Sequence, residues 1–329
     1  MIAEPRTPHC RRRAAVLALS ALLAGGCVAF PDAPSPSVVP AYTDDAFVSL
    51  DGARLPFTVW EADEPRAVAI ALHGMNDYAN AFAMPATAWA EEGVTTYALD
   101  QRGFGRAEER GRWPGAATMK ADLRAALAAA RRAHPSAPVY VIGHSMGGAV
   151  ALAALGDEEG LDADGVILAA PAVWGGSRMP LFYRIAINLA ATFLPGKTAT
   201  GERAGRQASD NIDVLRQMAA DPLMIGPTRL DATLGIVRLM GEAWRASENA
   251  SGRILVLLGE KDEIIPPETI RDAADRLSGE VTVKAYPEGW HLLFRDLGRA
   301  APIGDAAGWM LRSDVGGRTT PPESAGDGA

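Results

Sequence analysis

The 329-residue sequence predicts an α/β domain: a mostly parallel central sheet flanked by helices, with a helical insertion late in the chain. Three observations carry this reading. Short β-like runs alternate with longer helical patterns, the signature of strand–helix–strand units. Several of those runs, such as "AVAIAL" and "RILVLL", are apolar throughout, as strands covered on both faces must be. From about Gly175 to Ser251 the alternation stops and only helical patterns remain.

The N-terminus stands apart from this frame. Arg11, Arg12 and Arg13 precede an apolar run from Ala14 to Ala24, then small residues, the layout of an export signal too short to be a permanent membrane span. The segment ends "LLAGGC" and resembles the lipobox of bacterial lipoproteins, with Ala24 where leucine is usual and Leu23 one residue further back. Residues 1–26 are thus expected to be removed and Cys27 to be lipidated, with a simply cleaved, secreted form as the alternative. Acylation of Cys27 would make a membrane-anchored envelope protein. Only Cys10 and Cys27 occur, so the mature chain would have no disulfide. Its net charge would fall from −8 to about −11, because residues 1–26 hold four arginines and one glutamate. That balance argues against a nucleic-acid partner.

Residues 27–44 contain "FPDAPSPSVVP" and read as an extended Pro/Ser-rich tether. The core follows in residues 45–175 and 252–312, with the strand-like runs "FVSL", "LPFTVW", "AVAIAL", "VTTYAL", "PVYVIG", "GVILAA", "RILVLL" and "VTVKAY". The segment "ATMKADLRAALAAARRAH" predicts a helix whose inward stripe is Met119, Leu123 and Leu127. Arg131 and Arg132 suit its C-terminal end. Residues 176–251 form the helical cap between the sixth and seventh runs, and residues 313–329 a tail without core-forming composition.

Within this order, "VIGHSMGG" places Ser145 on a sharp turn between a buried strand and a helix. Gly143 and Gly147 flank it two residues away on either side, where side chains would collide in such a turn. The following helix points its N-terminus at the site and favours developing negative charge. A nucleophilic serine needs a base. Of five histidines, His9 leaves with the signal, His134 reads as a solvent-facing helix end, and His144 points away from its neighbour Ser145. His73 and His291 remain. His291, in "YPEGWHLLFRD" after the last strand, lies where a loop can reach the sheet edge bearing Ser145.

The orienting acid is expected after "RILVLL": Asp262 first, with Glu260 and Glu263 as fallbacks. Oxyanion donors would be the backbone N–H groups of Met146, after the serine, and Met75, in "HGMND". His73 then reads as a brace for that loop. The plainer alternative, a hydroxyl in a glycine-rich turn, leaves the order serine, acid, histidine without a purpose.

Together "LHGMNDY", "LDQRGFGRAE", "VIGHSMGGAV", "LVLLGEKDEIIP" and "YPEGWHLLFRD" resemble the α/β-hydrolases. Within them the nearest branch is that of monoacylglycerol lipases, lysophospholipases and serine aminopeptidases. The resemblance spans roughly residues 45–312 and implies the α/β-hydrolase fold with a triad of Ser145, Asp262 and His291. It also implies Met75 and Met146 as oxyanion donors, a cap, and a small lipid or ester substrate such as a monoacylglycerol or lysophospholipid. An aminopeptidase, an acyltransferase or a non-catalytic lipid-binding lipoprotein are the rivals. Ala107 departs from the serine common at that point of the family's structural turn.

In the cap, "PLFYRIAINLAATFLPG" predicts a helix whose narrow polar stripe is Arg184, Asn188 and Thr192. The remainder must be buried against the core, an acyl chain or a membrane surface. No phosphate loop, dinucleotide fingerprint or zinc-ligand spacing is present, so no cofactor and no metal are expected. Oligomeric state has no signature in the chain.

Overall fold

The computed structural model describes residues 28–200 and 205–312; the segment read as an export signal, Cys27 and the residues read as a tail lie outside them. Three short strands open the chain: β1 (Ala41–Tyr42), β2 (Phe47–Val48) and β3 (Arg54–Leu55). There follow β4 (Phe57–Trp60), β5 (Ala67–Leu72), α1 (Ala83–Glu91), β6 (Val94–Leu99), α2 (Ala116–Ala133), β7 (Val139–His144), α3 (Met146–Leu155) and β8 (Gly165–Ala169). The inserted region holds α4 (Leu181–Phe193), β9 (Thr198–Thr200), α5 (Ile212–Ala220), β10 (Pro227–Arg229) and α6 (Leu230–Ala246). The core resumes with β11 (Ser251–Gly259), α7 (Pro267–Ala274), β12 (Ser278–Tyr286) and α8 (Ala300–Met310).

Seven strands form the central sheet in the order β12-β11-β8-β7-β5-β6-β4. Every neighbouring pair is parallel except β4 with β6. The run "FVSL" lies outside this sheet: β2 from within it pairs with β1 and β3 in a separate three-stranded ribbon.

Alternation along the strands sorts their side chains into two cores. Val68, Ile70 and Leu72 of β5 share one face with Val139 and Val141 of β7, packed under Leu123 and Leu127 of α2 and the wholly apolar α3. Ala67, Ala69 and Ala71 face the other way with Tyr140 and Ile142, against Trp89 of α1 and Trp309 of α8. Small residues on β5 let these bulky rings approach the sheet. The sheet order reverses at β5, whose neighbours are β7 on one side and β6 on the other. Ligand crevices in open α/β sheets form at such switch points, beyond the C-terminal strand ends. The two turns that meet there follow β5 and β7.

Four details refine the expectation. The segment read as an extended tether is extended and mostly exposed from Val28 on, and it is strapped to the body. Phe30 packs edge-on to Trp113 at 6.4 Å between ring centroids, and the Arg238 guanidinium of α6 lies 5.2 Å above its ring. Tyr42 stacks with Phe47, Phe57 and Tyr97. Aromatic residues spaced through a Pro/Ser-rich stretch supply the anchoring surface that its composition hides.

The cap is helical apart from a two-stranded ladder of β9 with β10. His134 caps α2 and is half-buried, its Nε2 meeting the Tyr97 hydroxyl at 2.9 Å. Finally, α4 does not pack its apolar surface into the core: Ala191 is its one buried residue. Phe182 is 74% exposed and Leu189 50%. Its polar stripe is satisfied within the helix, Asn188 donating to the Arg184 carbonyl and Thr192 to that of Asn188. No described helix is long and apolar enough to cross a membrane.

Candidate active site

Ser145 joins β7 to α3 with φ 50° and ψ −111°. For a residue with a side chain this left-handed backbone costs of order 1–3 kcal/mol, which surrounding structure must enforce. The flanking glycines show how. A Cβ on Gly143 would stand 2.4 Å from the Gly147 carbonyl oxygen, and one on Gly147 would stand 2.1 Å from that of Leu72. The turn is therefore pressed against the end of β5 and pinned there: Ser145 N–H donates to Ala169 and Gly147 N–H to His73.

His291 arrives on the loop after β12. Its Nε2 lies 2.9 Å from Ser145 Oγ, and its Nδ1 lies 2.8 Å from Asp262 Oδ2. A carboxylate oxygen only accepts, so Nδ1 carries the proton and the Nε2 lone pair faces the hydroxyl. Asp262 is itself held, its Oδ1 accepting from the N–H groups of Ile264 and Ile265 at 2.8 and 2.9 Å. The fallback acids are engaged elsewhere: Glu260 pairs with Arg271, and Glu263 accepts from Gln207 N–H. The acid and base loops are fastened together, with Lys261 N–H donating to Gly289. Gly259 and Gly289 are needed for that approach, since a Cβ on Gly259 would come within 2.4 Å of the Gly289 carbonyl oxygen.

Met146 N–H opens the first turn of α3, where helix amides have no intrahelical acceptor. Met75 lies on the loop after β5, next to Gly74, which faces Ser145 so closely that an added Cβ would sit 3.4 Å from the serine Cβ. Met146 and Met75 thus stand on the two loops that meet at the switch point, after β7 and β5. His73 braces this loop: its Nδ1 meets the Gly74 carbonyl at 2.8 Å and its Nε2 accepts from Gln101 N–H at 3.0 Å. Burial lowers its pKa and keeps it neutral, as the accepting Nε2 requires.

Four supporting residues were given no role from the sequence. His144 Nε2 donates to the His291 carbonyl at 2.9 Å, and burial with the nearby His291 pushes its pKa down to about 3. Arg295, buried, forms an ion pair with Asp77 at 2.9 Å and donates to the Ala81 carbonyl, tying the base loop to the loop bearing Met75. Tyr78 donates to Asp221 of the cap at 2.6 Å, while Asn76, at φ 65°, donates to Thr228 and accepts from Ile225 N–H. The cap thereby rests on the Met75 loop. Only pairings between distant residues reveal these roles, and no local motif announces them. A mixed-charge cavity of about 520 Å³ lies elsewhere, beneath the Phe30 strap, and has no triad residue in its wall.

A mostly parallel sheet, a strained serine turn after β7, and a serine–histidine–carboxylate chain at the switch point define an α/β-hydrolase. Residues 63–298 match the Hydrolase_4 family, serine aminopeptidase S33, and the chain belongs to that family of hydrolases. It is 29% identical over 281 residues to the monoacylglycerol lipase of Mycolicibacterium smegmatis, covering 82% of this chain and 97% of the relative. Its fold matches that of Paleococcus ferrophilus monoacylglycerol lipase with a TM-score of 0.64 and 19% identity, over 78% of this chain and 98% of the other. A soluble variant of Saccharomyces cerevisiae monoglyceride lipase matches with a TM-score of 0.65 and 16% identity, over 86% and 98%.

Proposed function

We propose that the protein hydrolyses carboxylic esters through an acyl-enzyme on Ser145. The observation that carries this reading is the continuous chain from Asp262 through His291 to Ser145 Oγ, at 2.8 and 2.9 Å. His291 Nε2 takes the hydroxyl proton as Oγ attacks the ester carbonyl carbon, and the amides of Met75 and Met146 receive the oxyanion. The tetrahedral intermediate collapses as Nε2–H gives its proton to the leaving alkoxide. A water then loses a proton to Nε2, attacks the acyl carbon, and frees the acid and Ser145. Asp262 holds the tautomer and balances the imidazolium throughout.

Monoacylglycerols or lysophospholipids are the proposed substrates, in keeping with the lipases among its relatives. Segment 175–206 carries five basic residues and one acidic, poor provision for a peptide's free amine. A fluorophosphonate probe should label wild type and not Ser145→Ala; an unlabelled folded wild type would favour a non-catalytic lipid-binding protein. Rates on p-nitrophenyl esters of graded chain length, set against aminoacyl anilides, then separate esterase from aminopeptidase. Acyl transfer to an added alcohol in competition with water would reveal an acyltransferase.

The protein is further proposed to be exported and anchored to a bacterial membrane through acylated Cys27. Labelled palmitate should mark the wild type and not Cys27→Ala, and equal labelling of the two would overturn the anchor.

A further inference from the structure

We infer that β12 is a self-complementary edge, at which two copies of the chain join their sheets antiparallel about a two-fold axis through Thr282. β12 ends the seven-stranded sheet and has β11 as its one neighbour among the described residues. An edge strand offers a row of free backbone groups, and folded proteins blunt such edges by shortness, proline or a cover. At the opposite edge β4 is four residues long, follows Pro56, and has Arg106 reaching its Thr58 hydroxyl. β12 has nine residues, no proline, and the β-branched run Val281, Thr282, Val283 at its middle, with Val283 46% exposed.

Hydrogen-bond parity narrows the register. At one end of β12 Ser278 N–H donates to the Ala250 carbonyl, and at the other the Tyr286 carbonyl accepts from Glu260 N–H. Alternation then turns the backbone groups of Glu280, Thr282 and Lys284 toward β11 and those of Val281 and Val283 outward. Among the described residues no group meets these outward ones. A second, antiparallel copy can therefore pair Val281 with Val283 and Val283 with Val281, every bond running between outward groups.

Charge selects the occupant and the centre. With Thr282 opposite itself, Glu280 of each copy faces Lys284 of the other on the same side of the sheet. A centre at Val283 also satisfies the parity, but sets Glu280 against Tyr286 and Lys284 against Thr282. Both charges already have a partner in their own chain, Arg253 at 3.7 Å from Glu280 and Asp305 at 2.6 Å from Lys284. Their side chains are still 64% and 43% exposed. Joining two copies links these pairs into one alternating row: Arg253, Glu280, then Lys284 and Asp305 of the second copy. The opposite side brings Val281 and Val283 of both copies together. Such a contact is isologous and closes at a dimer. It extends the sheet in its own plane, with β11 and β8 between it and β7, so the crevice over Ser145 stays open. The pairing does not depend on hydrolysis at Ser145.

The test is sedimentation equilibrium of the full chain carrying Cys10→Ser and Cys27→Ser, which should give a dimer. Glu280→Lys and Lys284→Glu should each raise the dissociation constant by roughly tenfold or more, because two like-charged pairs then face each other. An equimolar mixture of those two variants should regain the wild-type constant, since every lysine then meets a glutamate. Thr282→Cys should close a disulfide between copies under copper–phenanthroline oxidation. Directly opposed residues of a non-hydrogen-bonded pair have Cα atoms about 4.5 Å apart, within reach of that bond. Ser278→Cys, which would stand opposite Tyr286, should not crosslink. A monomer overturns the proposal, as does a dimer that neither charge variant weakens or that the mixture fails to restore. Failure of Thr282→Cys to crosslink, or equal crosslinking of Ser278→Cys, overturns the register and with it the proposal. A chain ending at residue 312 that dimerises where the full chain is monomeric overturns it in favour of the C-terminal segment as the occupant of the edge.

Discussion

His144 hydrogen-bonds through Nε2 to the backbone carbonyl of His291 at 2.9 Å, so the residue before the serine fixes the loop that delivers the imidazole. His144→Ala should loosen that loop without removing any reacting group. A lost hydrogen bond of this kind is worth about 1 kcal/mol, so kcat should fall by roughly fivefold to tenfold with Ser145 still reactive. Steady-state kinetics beside fluorophosphonate labelling checks this; an unchanged kcat would remove His144 from the positioning of His291.

The same side chain sets an acid limit on stability. His144 is buried with its pKa at about 3, against 6.5 in the unfolded chain, so below pH 6.5 the unfolded state binds a proton that the native state refuses. Stability is therefore lost as pH falls from 6.5 toward 3, by at most about 1.4 kcal/mol per pH unit for this one group. Buried His73, its pKa also lowered, steepens the loss. Urea unfolding between pH 4 and 8 should show a shallower acid limb in His144→Gln than in wild type.

Gly147→Ala should not fit. The new methyl would overlap the Leu72 carbonyl oxygen at 2.1 Å, where neither the end of β5 nor the start of α3 can retreat. We expect a loss of about 3 kcal/mol or more, above that of ordinary overpacking, read as a lowered urea midpoint at unchanged slope.

Arg295 and Asp77 form a buried ion pair between the base loop and the Met75 loop. Arg295→Met leaves a buried carboxylate alone, which typically costs about 3–5 kcal/mol. Arg295→Met with Asp77→Asn should recover most of that. Chemical denaturation of the four species in a double-mutant cycle measures the coupling, and additive losses would deny it.

Tyr78 links the Met75 loop to the cap through Asp221. Burial and the Asp221 carboxylate push its pKa up to about 12, so it remains a donor across the working range. Tyr78→Phe removes a bond worth about 0.5–1.5 kcal/mol and should lower kcat/KM by up to roughly tenfold, with melting temperature little changed. A matching loss in Asp221→Asn combined with Tyr78→Phe, no larger than in either alone, is the expected signature.

Strand positions, the serine turn and the two partners of Ser145 were readable because each is written locally. Continuous apolar runs mark strands covered on both faces, and Gly143 and Gly147 answer a steric demand within five residues. Asp262 and His291 follow strands whose C-terminal ends a parallel sheet must bring to one edge. What folding alone decided depends on residues far apart in the chain. Glu260 and Glu263 are carboxylates like Asp262, which the sequence only ranked first, and the fold sets the Asp262 oxygens against Ile264, Ile265 and His291. The Phe30 strap, the Arg295–Asp77 pair and the exposure of α4 each require a partner, or the lack of one, that no local pattern encodes. An amphipathic run states only that apolar surface must be covered, and the packing of the other helices decides whether the protein covers it or leaves it for something else.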